Sequence, residues 1–256
     1  MSVAHCQRER ADCKARDMGG ASDIKGMILE ITPDIALHFL MPRHYSGRAP
    51  VIQKAFGWYS GKPYSEDELK AVCTFGKPAT NALCIGICGE QYADNVYELN
   101  RLCRVEEWDE PLSEFVSACL RRLRVCNWIV VSYSDTAMNH HGYIYQASNF
   151  LYTGQTKERT DRYIPGGKHS RHADESYDGK YRTIRSAKYR YVYFCTFDKR
   201  LKKKWRDALQ YPVLPYPKGD NNPDYILGDF IKPIVIDSTT GLVVEPKIDN
   251  EQISLF

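Results

Sequence analysis

The side chains best suited to chemistry are a carboxylate and a phenol, Asp135 and Tyr145, which follow a short apolar run. The run, Trp128 to Val131, predicts a buried strand. The polar residues behind it, among them Ser134, put the Asp135 carboxylate just past the end of that strand. Tyr145 falls on the helix predicted next, and Gly154 is a plausible stop signal for that helix. Because open α/β sheets bind ligands at the carboxyl ends of their strands, we expect Ser134, Asp135 and Tyr145 to share a catalytic site.

An imidazole and a second phenol, His44 and Tyr45, lie in a loop behind a predicted helix. The helix starts at Thr32-Pro33-Asp34, which combines a capping hydroxyl, a proline in the first turn and an acid. It continues through Leu40, and a loop with glycine and arginine follows. Taken alone, His44 is more typical of a surface loop than of a site.

The charge of the chain is strongly segregated. Residues 157–206 carry 16 Lys/Arg against 6 Asp/Glu, a net charge of +10, whereas the whole chain has +3, so the remainder has −7. This pattern is typical of a protein that binds a polyanion, with a merely solvated basic face as the alternative.

The nine cysteines include no C-x-x-C pair, and most lie in apolar runs. This favours reduced, buried thiols over disulfides or a zinc site, and a cytoplasmic location. No signal peptide or apolar run of about 18 residues is present, so a membrane partner is not expected.

The elements needed to position these side chains can be predicted along the chain. Strands are predicted at 53–60, 69–75, 96–104 and 191–195, and helices at 111–123 and 199–206. We expect a disordered segment over 1–26, a catalytic core over 27–156, a basic extension integrated with it over 157–210, and a proline-rich tail with little core over 211–256. His169 and His172 fall in a predicted mobile loop, where a solvated pair is favoured over a metal site.

This order, a strand pair and then strand–helix–strand–helix, resembles the GNAT acyltransferase superfamily. The resemblance implies an α/β fold with a central mixed sheet flanked by helices, here with a basic C-terminal extension. Tyr145 matches the tyrosine that protonates the departing thiolate in those enzymes, a general-acid role. The turn over 105–110, which would hold acyl-CoA phosphates, has four acids and no glycine, unlike an ordinary CoA site.

A narrower resemblance is to the Mom family of phage Mu type. Five separated blocks carry it, over roughly residues 28–218: His44-Tyr45-Ser46, the strand from Val96 to Leu102, Ser132 to Thr136 with Gly142 to Phe150, Tyr152-Thr153-Gly154, and Tyr211 to Lys218. The family converts adenine in DNA into a methylcarbamoyl derivative, which hides phage DNA from restriction enzymes. The resemblance therefore implies a phage- or prophage-encoded enzyme in a bacterial cytoplasm.

The family resemblance also implies an iron site. Its ligands would be His44, Tyr45, Asp135 and Tyr145, and imidazole, carboxylate and phenolate all suit iron. Tyr145 is then either a phenolate ligand or a free general acid, and the sequence leaves both open. An acyl-CoA or another small carbon donor is expected as co-substrate.

The expected macromolecular partner is double-stranded DNA, with the target adenine flipped out of the duplex. Arg101 is predicted to orient the base or the donor, and Trp58 and Tyr59 to stack on bases. Phosphate contacts are predicted for six cations, Arg182, Arg185, Lys188, Arg190, Lys202 and Lys203.

Two other functions fit parts of the pattern. An ordinary acyltransferase for a protein or small-molecule amine would use the same fold and Tyr145, but leaves the basic half without a role. A non-enzymatic DNA-binding protein would explain the basic half, but leaves Asp135 and Tyr145 without one. A homodimer is left open.

Overall fold

The computed structural model describes residues 26–46, 48–164, 179–219 and 234–245. The predicted disorder over 1–25 and the loop with His169 and His172 lie outside the described residues.

A seven-stranded mixed sheet forms the centre of the molecule. Its strands are β1 (Met27–Glu30), β2 (Lys54–Tyr59), β3 (Leu69–Gly76), β4 (Val96–Arg104), β5 (Trp128–Asp135), β6 (Leu151–Gln155) and β9 (Lys188–Cys195). The strand order is β1-β2-β3-β4-β5-β9-β6. Only β4 and β5 pair in parallel; the other neighbours are antiparallel.

Five helices accompany the sheet, and each lies where the sequence supplies an apolar face. They are α1 (Pro33–Leu40), α2 (Asn81–Cys88), α3 (Leu112–Leu123), α4 (Tyr143–Ala147) and α5 (Lys199–Asp207). The hydroxyl of Thr32 caps α1 by accepting from the amide of Ile35. Along α3, apolar residues recur at three- and four-residue spacing and are buried, from Phe115 to Leu123.

The helices divide the sheet into two faces. The first face packs against α3 and α4. The second face is shared: α1 covers β2 to β4, whereas α2 and α5 cover β4, β5 and β9. The boundary between these two helical groups therefore falls over β4 on the second face.

A smaller sheet lies beyond the edge strand. It has the order β10-β8-β7, with β7 (Arg159–Arg162), β8 (Tyr181–Arg185) and β10 (Val235–Asp237). Residues 211–256, predicted to be a proline-rich tail with little core, include β10, in which Val235 is buried.

Residues 212–219 form a strap along the outside of β6 and α4. The amide of Leu214 donates to the carbonyl of Tyr152, and the hydroxyl of Tyr216 donates to the carbonyl of Phe150. The hydroxyl of Tyr143 donates to the carbonyl of Gly219. The strap therefore covers the outer edge of the large sheet.

The predicted fold class is confirmed: the structure is α/β, with a central mixed sheet flanked by helices. Two local predictions are wrong. Asp135 is the last residue of β5 rather than a residue beyond it, because the strand continues through its polar end. Gly154 does not stop a helix; it lies within β6 at a φ of +95°, where the β6–β9 register shifts.

All seven described cysteines are free thiols, and six are buried, which confirms the prediction for that part of the chain. Within the described residues, no helix is both long and apolar enough to span a membrane.

Candidate active site

The parallel strands β4 and β5 separate at their carboxyl ends. Their pairing runs only from Val96 opposite Ile129 to Glu98 opposite Val131. Past this point β4 continues to Arg104 and β5 to Asp135. Strand ends that diverge in this way leave a crevice at the carboxyl edge of a sheet, where α/β folds bind ligands.

A β-bulge brings two charged side chains of β4 to the same face. Thr74 pairs with Arg101 and Phe75 with Leu99, so Asn100 is the extra residue. In a regular strand Glu98 and Arg101, three residues apart, would point to opposite faces. With the bulge, Glu98 shares the second face with Val96, and Arg101 shares it with Cys103.

Glu98 is a half-buried carboxyl group on β4 that was not among the predicted site residues. Burial raises its pKa, and the charges of Arg101 and Lys188 offset this only in part. A carboxylate with a raised pKa beside a crevice is suited to accept a proton. The only signal in the sequence was a charged residue inside an otherwise half-apolar strand.

Asp135 lies at the end of β5 and is committed to other protein groups. One carboxylate oxygen accepts from the amide of Ala137 (3.0 Å) and from the hydroxyl of Ser186. The other oxygen forms an ion pair with Nζ of Lys188 at 3.0 Å. Burial would raise the pKa of Asp135, but the hydrogen bond from Ser186 and the charge of Lys188 outweigh it and lower the pKa. Asp135 is therefore ionised and firmly held.

The loop behind α1 reaches the same end of the sheet. The His44 ring stacks on Tyr45 with 4.5 Å between centroids, and Tyr45 meets His140 edge-on at 6.3 Å. Burial lowers the pKa of His44 to about 3, and the charges of Arg101, Lys188 and His140 add to this effect. His44 is therefore a neutral imidazole at physiological pH. Its Nδ1 accepts from the amide of Ser46 at 3.2 Å, so the proton is on Nε2.

Tyr145 approaches the crevice from the opposite side, on α4. Its ring is packed into the core of the first face, against Phe150 and Tyr191. Burial raises the pKa of Tyr145, although a hydrogen bond with the Ser132 hydroxyl opposes the shift. The Ser132 hydroxyl donates to the carbonyl of Leu99 at 3.0 Å, so the phenol donates to Ser132. Tyr145 is therefore a neutral phenol.

Arg101 links the crevice to the segment that follows the His44 loop. Its guanidinium donates to the carbonyls of Asn100 (2.6 Å) and Arg48 (3.1 Å). The side-chain amide of Asn100 also holds this segment, because its Nδ2 donates to the carbonyl of Val51 at 2.8 Å. The position predicted for Arg101, inside the site, agrees with this arrangement; its role stays a prediction.

Three polar atoms around the crevice are buried without a hydrogen-bond partner among the described residues: Nε of Arg101, Oγ of Ser134 and Nδ1 of His141. Ser134 is opposite Tyr189 in the sheet, and the His141 ring lies 5.8 Å from the Tyr189 ring. Buried polar groups are nearly always satisfied, so these three atoms are available to bond a ligand or water. The catalytic role predicted for Ser134 remains untested.

The iron site predicted at His44, Tyr45, Asp135 and Tyr145 stays a prediction. Two of these residues already have protein partners: the Asp135 carboxylate accepts from Ala137 and pairs with Lys188, and the Tyr145 phenol bonds Ser132. Whether Tyr145 is a ligand or a general acid also stays a prediction.

Three of the residues predicted to contact DNA are in the interior. Trp58 is fully buried between Trp108 and Phe115, and Tyr59 is buried against α1, so neither ring can stack on a base. Arg190 is buried, bonds both Oγ1 and the carbonyl of Thr153, and lies over the Tyr211 ring. These three predictions are wrong: helices cover both faces of the sheet at β2, so Trp58 and Tyr59 are buried on opposite faces, and Arg190 is buried on the second face of β9.

The other predicted phosphate contacts lie in two separate places. Lys188 is in the site, and Arg182 and Arg185 are on β8, directly before it. Lys202 and Lys203 are exposed on α5, which begins just beyond Cys195, the residue of β9 opposite Trp128. The two lysines therefore lie toward the end of the sheet away from Asp135.

The sequence model of the Mom protein family matches residues 26–218. None of the curated proteins matches the chain in sequence.

Several solved acetyltransferase structures are similar in fold at low sequence identity. YncA from Salmonella typhimurium, with its cofactor acetyl-CoA, has 9% identity and a TM-score of 0.42, covering 68% of this chain and 96% of that one. NAA60 from Arabidopsis thaliana in complex with acetyl-CoA has 11% identity and a TM-score of 0.39, covering 66% and 98%. A GNAT-family acetyltransferase from Bacillus cereus has 9% identity and a TM-score of 0.34, covering 66% and 98%.

Proposed function

Because the chain belongs to the Mom protein family, we propose that it is a phage or prophage DNA-modification enzyme that converts adenine in DNA into N6-methylcarbamoyl-adenine. The modified DNA would be protected from host restriction enzymes. The proposal is supported by the carboxyl ends of β4 and β5. Glu98 and His44 both lie within the influence of the Arg101 and Lys188 charges there, and the Tyr145 phenol reaches Ser132 of β5 from the other face of the sheet.

The reaction requires a bond between N6 of adenine and an electrophilic carbon of the donor. Glu98 accepts the proton that N6 loses as the bond forms, since its raised pKa makes it the strongest base among the site carboxylates. The leaving group of the donor takes a proton from the Tyr145 phenol. The donor is an acyl-CoA or another small activated carbon compound.

The remaining residues of the site bind and orient the base and the donor. The unpaired Nε of Arg101 and Oγ of Ser134 are available to hydrogen-bond the base or the donor. The Asp135–Lys188 pair fixes the end of β5 and places a positive charge beside the crevice. The amine of adenine is paired in a duplex, so the base must leave the stack to reach these groups.

The acidic turn between β4 and α3 makes the start of α3 an unfavourable position for the phosphates of a donor. Glu106, Glu107 and Asp109 are exposed there, and no side chain caps the helix at Pro111. Carboxylates repel phosphates, so this helix start is a poor phosphate site.

The test is mass spectrometry of nucleosides from bacterial cells that express the protein. We expect a modified deoxyadenosine with the wild type and a loss of at least about 100-fold with Glu98→Gln, Tyr145→Phe or Asp135→Asn, in line with the usual contribution of acid–base groups. Glu107→Gln makes the same chemical change on an exposed residue and should leave the yield unchanged. Unmodified adenine with the wild type would refute the proposed function, and full activity of Glu98→Gln would refute the assigned base.

A further inference from the structure

The edge of the large sheet continues outward as an arm made of β7 and β8, and β10 pairs with the other side of β8. β6 pairs with β9 in the large sheet, and the strands that follow β6 and precede β9 pair with each other as β7 and β8. Two hydrogen bonds connect Thr156 and Lys188 where the arm meets the large sheet. The backbone amide of Thr156 donates to the carbonyl of Lys188 at 2.8 Å, and the backbone amide of Lys188 donates to Oγ1 of Thr156 at 2.9 Å. The base of the arm is therefore at the Lys188–Asp135 pair of the site.

In the pairing of β7 with β8, two arginines of one strand lie directly opposite two arginines of the other. Arg159 faces Arg185 and Arg162 faces Arg182. Like charges at directly opposite positions destabilise an antiparallel pair. The two strands together carry these four arginines against one aspartate.

Asp161 compensates only one of the two arginine pairs. It lies 2.9 Å from Nε of Arg185 and 3.6 Å from Nε of Arg159. On the other face, Arg182 bonds Oγ1 and the carbonyl of Thr160, and Arg162 is exposed. No carboxylate of the described residues pairs with Arg162 or Arg182.

The excess positive charge extends from the arm to the site. Burial lowers the pKa of Arg48, and the charges of Arg185 and Arg101 lower it further, while Asp161 opposes them. Four cations, Arg48, Arg101, Arg185 and Lys188, are thus crowded beside the crevice. Crowding of this kind is relieved when an anion binds among the cations.

We propose that the β7–β8 arm is a DNA-binding ribbon whose arginines hold the duplex on both sides of the target, so that the flipped adenine enters the crevice at the base of the arm. The inference rests on the proposed function, because it assumes that duplex DNA is the substrate.

The outer strand of the arm is the part that can reach DNA. β10 pairs with residues 181–183 of β8, so within the described residues β7 is the free edge of the smaller sheet. The four paired positions of β7 span about 10 Å at the usual rise of a strand. The major groove of B-DNA is about 12 Å wide and can admit an edge of this size, whereas the major groove of duplex RNA is too narrow for side chains to read. Arg159 and Arg162 are both exposed and point to opposite faces of the ribbon, so they can reach phosphates on both sides of a groove.

The experiment measures binding of the full chain to a labelled DNA duplex at several salt concentrations, for Arg159→Gln/Arg162→Gln and for the wild type. The loss of two phosphate contacts should reduce the slope of log K against log salt by about 1.8. The control is Arg121→Gln/Arg122→Gln, which removes two exposed arginines from the end of α3 that precedes the Trp128 end of β5. We expect the control to keep the wild-type slope.

Each outcome decides the inference. An unchanged slope for the arm variant, or an equal reduction for the control, would overturn it. An equal effect on a duplex RNA of the same sequence would also overturn it, since the arm would then act as a general polyanion contact. The proposed function fails by a different result. In that case the wild type binds DNA with a salt slope that depends on the arm, but mass spectrometry finds only unmodified adenine.

Discussion

Glu98 shows how a functional side chain costs stability. It is half-buried beside Arg101 and Lys188, yet its pKa is raised, so desolvation exceeds the attraction of the two cations. A carboxylate in this position is held by the fold at a free-energy cost, and that cost makes it a better base than Asp135.

Replacing Glu98 by Gln should therefore stabilise the protein near neutral pH, by on the order of 1 kcal/mol, as removal of a strained functional group commonly does. The folded-state pKa is raised above the unfolded value near 4.5, so the wild type is penalised above the folded pKa and recovers as the pH falls. The difference in free energy of unfolding should be largest at pH 7 and vanish near pH 4.5, measured by urea denaturation. A variant less stable than wild type at pH 7 would contradict this account.

Lys188 acts on two site residues at once, since it pairs with Asp135 and its charge depresses the pKa of His44. In Lys188→Met the pKa of His44 should rise from about 3, but remain below 6.5 because burial is the larger cause. The Asp135 pKa should rise in parallel. Titration of the His44 ring nitrogens by NMR checks this.

Lys54→Met is the matched control, because Lys54 pairs with Glu30 on β1 and β2. A His44 pKa that is the same in Lys188→Met and the control would show that the two residues are not coupled.

At the scale of elements, local sequence patterns predict the strands and helices that carry the site. They do not predict how the side chains of the site are arranged relative to one another. The cap at Thr32 and the spacing along α3 predicted those helices, and the apolar run at Trp128 predicted β5. The bulge at Asn100 depends on pairing with β3, a partner that no local pattern identifies. Strand alternation alone would put Glu98 and Arg101 on opposite faces, whereas the bulge puts them on one.

Burial of Trp58, Tyr59 and Arg190 was missed for a related reason. Aromatic and cationic residues are common both in cores and on nucleic-acid surfaces, and only the register decides which face each one takes. Convergence of His44 and Asp135 was expected only through the family resemblance, because they are ninety-one residues apart.

Gly76 holds the segment after the His44 loop against the end of β3. A Cβ atom at this position would lie 1.9 Å from the carbonyl oxygen of Val51. Gly76→Ala should displace the segment that Arg101 and Asn100 hold, lower the free energy of unfolding by about 1–3 kcal/mol and reduce the modification of adenine. Urea denaturation and nucleoside mass spectrometry measure the two effects.

Gly86→Ala is the control for this substitution. Gly86 lies inside α2, and a Cβ atom added there would have the Tyr211 hydroxyl as its nearest neighbour, at 3.1 Å. The substitution should therefore be neutral or gain up to about 1 kcal/mol in helix propensity. Equal losses at both glycines would show that the Val51 contact is not the cause.

At the scale of the whole molecule, the cations occupy two ends of the sheet. Asp135 and Trp128 are the two ends of β5, seven residue steps apart, a distance of about 23 Å at the rise of a strand. Lys202 and Lys203 lie toward the Trp128 end. A duplex centred on the crevice reaches them only if it extends about seven base pairs to that side, at about 3.4 Å per pair.

Lys202→Gln/Lys203→Gln should therefore leave the salt slope for a duplex of about ten base pairs unchanged and reduce it for one of about thirty. Fluorescence anisotropy with the two duplexes measures both slopes. A reduced slope with the short duplex would place these lysines nearer the bound DNA than the structure does.

The strap over residues 212–219 has a consequence for solubility. Exposed strand edges recruit other chains, and β6 is an outermost strand. The proline-rich strap occupies that margin through a single main-chain bond from Leu214 and hydroxyl contacts from Tyr143 and Tyr216, and prolines lack the amide needed to extend a ladder. The strap therefore covers the edge strand β6. This edge is then not available to pair with a strand of a neighbouring molecule.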